Sequence, residues 1–225
     1  MSLTSLRTFF YHSRLRYLIT CLFLIFSVCA SGQSFEDDIK SALKKKPILD
    51  LRSDSRHSFI NQSGVSVFGV KGGIEFDRKL RFGLGFNILA TELNSIITYD
   101  YEGIPTTTDD ARLVFYHITP YLEYVFYKQN RWEVSVPIQF GFGNSYYTYK
   151  TESGQRFNDK RKFILTYEPA ITAQYKIFKY FGPGFGVGYR LMLIDNKAIK
   201  ETFNSPVYIF RFKIFFGEIY RDLNK

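Results

Sequence analysis

The residues that could support hydrolytic chemistry are few. Beyond the first thirty positions the chain has two histidines, His57 and His117, and a nucleophile would need one of them beside a serine and an acid. His57 is followed directly by Ser58, but adjacent residues of a strand point to opposite faces. His117 shares a face with Glu123, which lies six positions along the chain, too far for a direct hydrogen bond within one strand. We therefore predict no catalytic residues and no enzyme activity.

Metal and cofactor sites have equally little support. Cys21 and Cys29 are the only cysteines, both near the N-terminus, and the histidines lack metal-ligand spacing. The glycine-rich segment FGPGFGVGY, residues 181–189, lacks the third glycine of G-x-G-x-x-G and has no Lys-Ser or Lys-Thr after it. Its glycines are better explained as space-makers on one face of a strand. We expect no metal and no cofactor.

Most of the chain alternates bulky apolar residues with polar or small ones. In RWEVSVPIQFGFGNSYYTYK, residues 131–150, every second position from Trp132 to Phe142 is apolar. A period of two held this long indicates β-strands. The same period recurs in six further segments, so seven strands are clear; the six are 65–77, 80–98, 113–127, 162–178, 181–194 and 208–216.

The connections between these strands predict one more strand. Short turns alternate with long polar segments, the turns at 77–79, 128–130 and about 179–180, the long segments at 99–111, 151–160 and 195–206. If the long segments share one end of the barrel, an eighth strand must precede residue 64. ILDLRSDSRHSFI, residues 48–60, is the candidate. Before it, residues 33–46 predict a short helix with Ser34 as its N-cap.

Side-chain volume decides which strand face meets water. Eight apolar faces carry more large side chains than the interior of an eight-stranded barrel can hold, whereas glycines, short polar groups and charges fit a narrow lumen. The strand from Trp132 to Phe142, when tilted, rises about 25 Å, the height of an outer-membrane apolar band. We predict an all-β fold, an eight-stranded antiparallel up-and-down transmembrane β-barrel with its apolar face in lipid. A soluble, ligand-carrying eight-stranded barrel is the alternative.

The polar faces of the strands carry charges of both signs. Because buried charges persist only when they are paired and hydrogen-bonded, we expect a salt-bridge network that fills the lumen. A path for ions or small solutes is the alternative. The predicted members of this polar network are Asp50, Arg52, Asp54, Arg56, Lys71, Glu75, Arg81, Glu123, Glu133, Lys162, Glu168, Lys176, Arg190, Arg211 and Lys213.

The N-terminus has the order of a secretory signal. Arg7, Arg14 and Arg16 precede the apolar run LITCLFLIFSVCA and the small residues ASGQS, with cleavage after Ala30 or Gly32. Cleavage removes both cysteines and lowers the formal net charge from +9 to +6. No run of eighteen apolar residues follows, so no helical membrane span is predicted. The predicted parts are a signal peptide over 1–32, a short periplasmic helical segment over 33–46 and the barrel over 47–225.

These features together resemble the small outer-membrane barrels of Gram-negative bacteria, over about residues 48–221. The ASGQ junction and the aromatic richness, with 24 Phe and 17 Tyr, are similar to barrel proteins of the Bacteroidetes. The chain departs from the pattern at its end, because RDLNK follows Tyr220 where such barrels often end in an aromatic residue read by the assembly machinery. The resemblance implies a monomer in the outer membrane, in contact with its lipid, handled during export by periplasmic chaperones and the barrel-assembly machinery.

The sequence is less specific about function. Lysines and arginines are scattered among acids in an exported chain, so no nucleic-acid partner is expected. A filled lumen favours a structural or surface-interaction role; a narrow channel ranks second and a lipid-modifying outer-membrane enzyme third. The long loops are the candidate contact surface, although no surface partner is specified. They contain Tyr99, Asp100, Tyr101, Glu102, Asp109, Asp110, Arg156, Phe157, Asp159, Lys197, Lys200 and Phe203.

Overall fold

The computed structural model describes residues 32–60, 63–101, 104–151, 154–199 and 203–223, so nearly all of the predicted signal peptide lies outside the described residues. The chain forms two compact units, Met1–Lys45 and Lys46–Lys225. In the first, helix α1 spans Gly32–Leu43 and carries an exposed Glu36–Lys40 ion pair of 2.5 Å. This helix begins at Gly32, so Ser34 lies in its first turn and is not its N-cap. Among the described residues, no helix is long and apolar enough to cross a membrane.

The described residues of the second unit form nine antiparallel strands and one helix. In chain order they are β1 (Ile48–Ile60), β2 (Ser63–Phe76), β3 (Leu80–Leu89), β4 (Asn94–Tyr101), β5 (Ile104–Gln129), β6 (Trp132–Lys150), β7 (Arg156–Tyr175), β8 (Phe181–Ile194), β9 (Ser205–Ile214) and α2 (Phe216–Leu223). Eight strands form a closed circle, because β3 pairs with β5 and β9 pairs with β1. Closure leaves these strands without free edges. The predicted eight-stranded barrel is confirmed, with the N-terminal strand at residues 48–60.

The predicted strand over 80–98 is divided in the structure. β3 ends at Leu89, and β4 pairs only with the first part of β5, outside the circle. The segment 99–111, predicted to be a polar loop, forms much of this hairpin. Thr98 lies opposite Thr107, with their hydroxyl oxygens 3.3 Å apart, and Ile97 is buried. β-branched residues favour strands even where the composition is polar, which explains the error.

Two of the predicted tight turns contain residues with a left-handed backbone, among them an aspartate and an asparagine, which tolerate it. Asp77 and Arg78 have φ angles of 49° and 56°, and Asn130 has 54°. The Lys79 N–H donates to the Phe76 carbonyl over 2.9 Å and closes the first turn. These turns define the turn end of the barrel. The opposite end, with the longer connections, is the loop end.

Along the middle of the barrel the outer face is apolar and the inner face is polar, as predicted. Outward side chains such as Leu84 (61 % exposed) and Phe210 (58 %) remain open, whereas inward Asp54 and Arg190 are fully buried. On β6, Phe142 likewise points outward and is 45 % exposed. A soluble barrel would reverse this distribution. The exposed apolar side chains form a lipid-facing belt around the barrel.

The C-terminus contains a helix that the sequence analysis did not predict. The period of two ends at Ile214, where β9 stops, and α2 follows. Phe216, Ile219, Tyr220 and Leu223 have helical spacing. This spacing, in a segment of eight residues, is the signal that could have identified the helix.

Closure of the circle predicts a disulfide between the first and last strands of the barrel. Ser55 on β1 and Phe210 on β9 are direct partners, so cysteines at both positions should form a crosslink under mild oxidation. The experiment uses a chain in which Cys21 and Cys29 are serine, and it measures the crosslink by gel mobility without reductant. Cysteines at Ser55 and Phe140, on strands that do not pair, are the matched control. A crosslink in the control alone would contradict the observed circle.

Candidate functional site in the barrel interior

Strand β1 supplies four charged side chains to the interior because its period of two points every second residue inward. Asp50, Arg52, Asp54 and Arg56 are all buried. Their signs alternate, so each carboxylate has a guanidinium neighbour on the same strand. Arg52 Nη2 lies 2.8 Å from Asp50 Oδ2, and Arg56 Nη2 lies 3.0 Å from Asp54 Oδ2. Their further partners come from other strands.

Glu123 on β5 is the carboxylate on which most donors converge. It accepts from Arg52 over 2.5 Å, from Arg81 over 2.7 Å and from Arg211 over 3.1 Å. The Ser135 hydroxyl donates a fourth hydrogen bond of 2.8 Å. These donors lie on β1, β3, β9 and β6, so one side chain joins five strands. Charge-assisted hydrogen bonds of this kind are stronger than neutral ones.

A second group of contacts surrounds Glu168 on β7. Arg190 Nε donates to Glu168 over 2.5 Å and Gln139 Nε2 donates over 2.8 Å. Arg56 donates to the same carboxylate and also to Asp54. Arg56 therefore links the Glu168 group to the charges of β1.

Asp54 connects this group to Glu123. Lys71 Nζ lies 2.8 Å from Asp54 Oδ2, and Arg211 Nε lies 3.1 Å from Asp54 Oδ1. Because Arg211 also donates to Glu123, the two groups form one network.

The network continues to the turn end through Arg81. Its Nε donates to Glu75 over 2.5 Å, and its Nη2 donates to Glu133. Lys213 pairs with Glu75, and Arg78, from the turn after β2, pairs with Glu133. Acids and bases are nearly equal in number along the network, so no large net charge is buried.

All but two of the charges predicted to point inward are buried and joined in this network. Lys176 is only half-buried and pairs with Glu218 of α2 over 2.8 Å at the turn end. Lys162 is exposed, contrary to the prediction; it lies opposite Ser145, at the last regular pair before the register of β6 against β7 shifts at the loop end. The buried members are Asp50, Arg52, Asp54, Arg56, Lys71, Glu75, Arg81, Glu123, Glu133, Glu168, Arg190, Arg211 and Lys213.

Tyr121 is a member of the network that the charge-based prediction omitted. Its hydroxyl donates to Asp50 over 3.1 Å, and its ring lies 5.0 Å from the Arg52 guanidinium and 5.2 Å from the Lys71 ammonium. A Cβ at Gly73 would lie 2.7 Å from the Tyr121 hydroxyl oxygen, so this glycine makes room for the ring. Tyr121 has the same parity along β5 as Glu123, but it carries no charge.

The loop end of the interior is apolar, which the sequence analysis did not predict. Phe115 of β5 stacks on Phe203 with ring centroids 4.8 Å apart, and Ile199 joins them from the same connection as Phe203. Phe203 was predicted to lie on the loop surface, but it is completely buried. We call this set the apolar plug; its other members are Ile60, Val65, Val67, Leu89, Ile97, Ala111, Leu113, Tyr147, Tyr149 and Ile164.

At the turn end, one aromatic side chain lies among the last charges of the network. Phe215, directly after β9, is buried, and its ring lies 5.1 Å from the Lys213 ammonium. The Lys176 ammonium and the Arg78 guanidinium approach the same ring to 5.3 and 5.8 Å. The paired charges therefore lie between the apolar plug at the loop end and Phe215 at the turn end.

The other predicted loop residues divide between the surface and the plug. Tyr99 packs against Tyr149 of the plug, with ring centroids 4.5 Å apart. Glu102 and Lys200 lie outside the described residues. The following are exposed: Asp109, Asp110, Arg156, Phe157 and Lys197.

The two histidines face opposite sides of the wall. His57 is exposed and packs edge-on against Phe210 at 5.6 Å, whereas Ser58 points inward. His117 is buried, 5.1 Å from Phe115, where the plug meets the network. Neither ring nitrogen of His117 has a hydrogen-bond partner in the described part of the chain. The predicted separation of His57 and Ser58 is confirmed. Within the described ranges, no three His, Cys, Asp or Glu side chains form a metal-binding group.

Loss of the Glu123 charge should destabilise the barrel strongly. In Glu123→Gln three guanidinium groups lose their common carboxylate inside the wall, and breaking a buried pair costs about 3–5 kcal/mol. The free energy of unfolding can be measured by urea titration in vesicles, with Trp132 fluorescence as the signal. Glu92→Gln is the matched control, because Glu92 pairs with Arg112 in an exposed ion pair of 2.7 Å and its loss costs about 1 kcal/mol or less. Equal losses in the two variants would contradict a stabilising network.

Solved structures of several outer-membrane proteins are similar to this chain, whereas no family model and no curated protein sequence matches it. Neisserial surface protein A (NspA) superposes with a TM-score of 0.54 at 12 % identity, over 76 % of this chain and 99 % of that one. Ail, the attachment invasion locus protein of Yersinia pestis, gives 0.45 at 11 % identity, over 76 % and 98 %. The outer-membrane protease OmpT of Escherichia coli gives 0.31 at 9 % identity, over 74 % and 91 %. The similarity to NspA supports the fold alone: this chain has the fold of a small outer-membrane β-barrel.

Proposed function

We propose that the chain is an exported outer-membrane protein whose closed barrel has a structural or surface-interaction role. In this proposal residues 1–32 are a cleaved signal, and both termini of the mature chain and α1 lie in the periplasm. The protein acts as a monomer in contact with outer-membrane lipid. Barrel-assembly machinery and periplasmic chaperones handle it during export. The proposed relationship to barrel proteins of the Bacteroidetes rests on the sequence features alone.

The observation that carries the proposal is the filled interior. Paired charges occupy the middle of the lumen, and apolar side chains close both ends. An ion would have to pass the Phe115–Phe203 stack at one end and Phe215 at the other, leaving water on the way. This arrangement disfavours the channel. Neither histidine lies in a serine–histidine–acid arrangement among the described residues, which leaves the lipid-modifying enzyme without a supporting site.

The surface part of the proposal rests on a sheet that extends beyond the lipid-facing belt. β5, β6 and β7 have 26, 19 and 20 residues, whereas a membrane-spanning strand needs about 9–11. Their loop-end parts and β4 form a four-stranded extension. It exposes Ile96 (64 %) and Ile104 (65 %) on its surface. This chain shares its fold with NspA, which is named as a surface protein, and that fold is compatible with a surface role.

A groove in this extension is the most specific candidate contact site. Its volume is about 560 Å³, and charged side chains of both signs line it, among them Glu92, Asp110, Arg112, Lys150 and Arg156. Lys150 and Arg156 are direct partners on β6 and β7, and like charges at opposite positions repel each other. An acidic group on a bound partner would relieve this repulsion.

The membrane assignment can be tested by gel mobility. The protein from isolated outer membranes should migrate differently in detergent before and after boiling, because the closed backbone hydrogen bonds resist detergent until heated. A single mobility, together with recovery from the soluble periplasm, would reject the proposal and favour a soluble ligand-carrying barrel.

Conductance separates the closed barrel from the channel. In planar bilayers the wild-type protein should give no ion current above the lipid background, because the plug and Phe215 leave no continuous polar path. Steady single-channel steps that persist in the wild type would reject the closed lumen. Glu92→Gln serves as a control for preparation artefacts, since its exposed ion pair is outside the lumen.

A further inference from the structure

Helix α2 is held against the barrel by its polar face. Glu218 accepts from Lys176 over 2.8 Å, Asp222 pairs with Lys179, and the Tyr180 hydroxyl donates to Asp222 over 2.5 Å. The hydrogen bond to Asp222 raises the pKa of the Tyr180 hydroxyl, so this group remains a donor. All three partners of the helix lie in the connection between β7 and β8. The orientation of α2 is therefore fixed by the turn end of the barrel.

This attachment leaves the apolar face of α2 exposed. Phe216, Ile219, Tyr220 and Leu223 follow one another at steps of three, one and three residues, so they share one side of the helix. Tyr220 is 70 % exposed and Leu223 is 81 % exposed. Such exposure of large side chains on a fixed helix indicates a surface that contacts something other than water.

A groove of about 570 Å³ lies between this face and the first residues of β1. This volume is within the range of about 300–1,000 Å³ that is typical of small-molecule sites. Apart from Lys46 its lining is apolar or aromatic, namely Pro47, Ile48, Leu49, Phe216, Ile219, Tyr220 and Leu223. Leu49 is an outward residue of β1, 51 % exposed, and lies opposite Ile74 of β2. The groove is thus continuous with the lipid-facing belt.

We propose that this groove binds an acyl chain of a phospholipid from the leaflet at the turn end, and that Lys46 contacts the headgroup phosphate. The proposal rests on the proposed outer-membrane location. Continuity with the belt selects lipid over a soluble protein partner as the occupant, since lipid already covers Leu49 and its neighbours. Lys46 is the charged residue in the described lining, and a lysine at the edge of an apolar surface extends its ammonium to the interface.

Fluorescence quenching by brominated phospholipids tests the acyl-chain site. Trp132 is the only tryptophan, so Leu223→Trp in a Trp132→Phe chain gives a single reporter in the groove. Vesicles with bromine on the acyl chains should quench most of its fluorescence. Lys197→Trp in the same background, at the exposed loop end, should retain its fluorescence. An unquenched Leu223→Trp chain that still shows the heat-dependent gel shift would overturn the groove and leave the barrel proposal intact.

A second quenching experiment tests the contact of Lys46 with the headgroup. At equal mole fraction, brominated phosphatidylglycerol should quench the reporter more than brominated phosphatidylcholine, because Lys46 favours the anionic lipid. Lys46→Gln should lose this preference, whereas Lys128→Gln, an exposed lysine outside the groove, should keep it. Equal quenching by both lipids in the parent chain would overturn the role of Lys46.

A photoactivatable phospholipid gives an independent measurement on the unaltered protein. After irradiation, the mass of the adduct should map to residues 216–223, because an adduct on Leu49 is expected from the lipid-facing belt alone. Adducts confined to the lipid-facing belt would overturn the groove, even if a reporter variant failed to fold.

Discussion

The structure depends on the pairing of buried charges inside a wall that faces lipid. Because the apolar side chains point outward, the narrow interior must hold the polar residues, and an unpaired charge there would be costly. Glu123 meets this constraint because it accepts hydrogen bonds from three guanidinium groups and a hydroxyl. The strand register, the glycines beside Tyr121 and the near balance of acids and bases all serve this arrangement. The interior has little room for any other polar chemistry.

The interior nevertheless changes character along the barrel axis. Charges occupy the middle of the interior, at the level of the lipid-facing belt. At the loop end the interior is apolar, like that of a soluble protein. The change is visible on single strands: β5 points Leu113 and Phe115 into the plug and, four periods of the same alternation later, points Glu123 into the network. The inward face of one strand can therefore be apolar at the loop end and charged in the middle of the barrel.

The sequence was sufficient to predict the barrel and the inward placement of most charges, because a period of two and a comparison of side-chain volumes require no knowledge of pairing. It could not identify which charges meet, since Arg52 and Glu123 are 71 positions apart and come together only after closure. Composition also misled in two places. Threonines concealed the β4–β5 hairpin within a polar segment, and Phe203 looked like a loop residue because its burial depends on Phe115 from a distant strand.

The position of the network has a consequence for how the barrel assembles. Arg52 and Arg211 lie on β1 and β9, which meet only when the circle closes, and both donate to Glu123 on β5. A partly closed sheet would separate Arg211 from Asp54 across the seam, and both guanidinium groups from Glu123, in a nonpolar surrounding. Partial insertion would therefore be penalised at every stage before the seam forms. The network therefore makes folding into the membrane cooperative. Pairing of the first and last strands is the step that completes it.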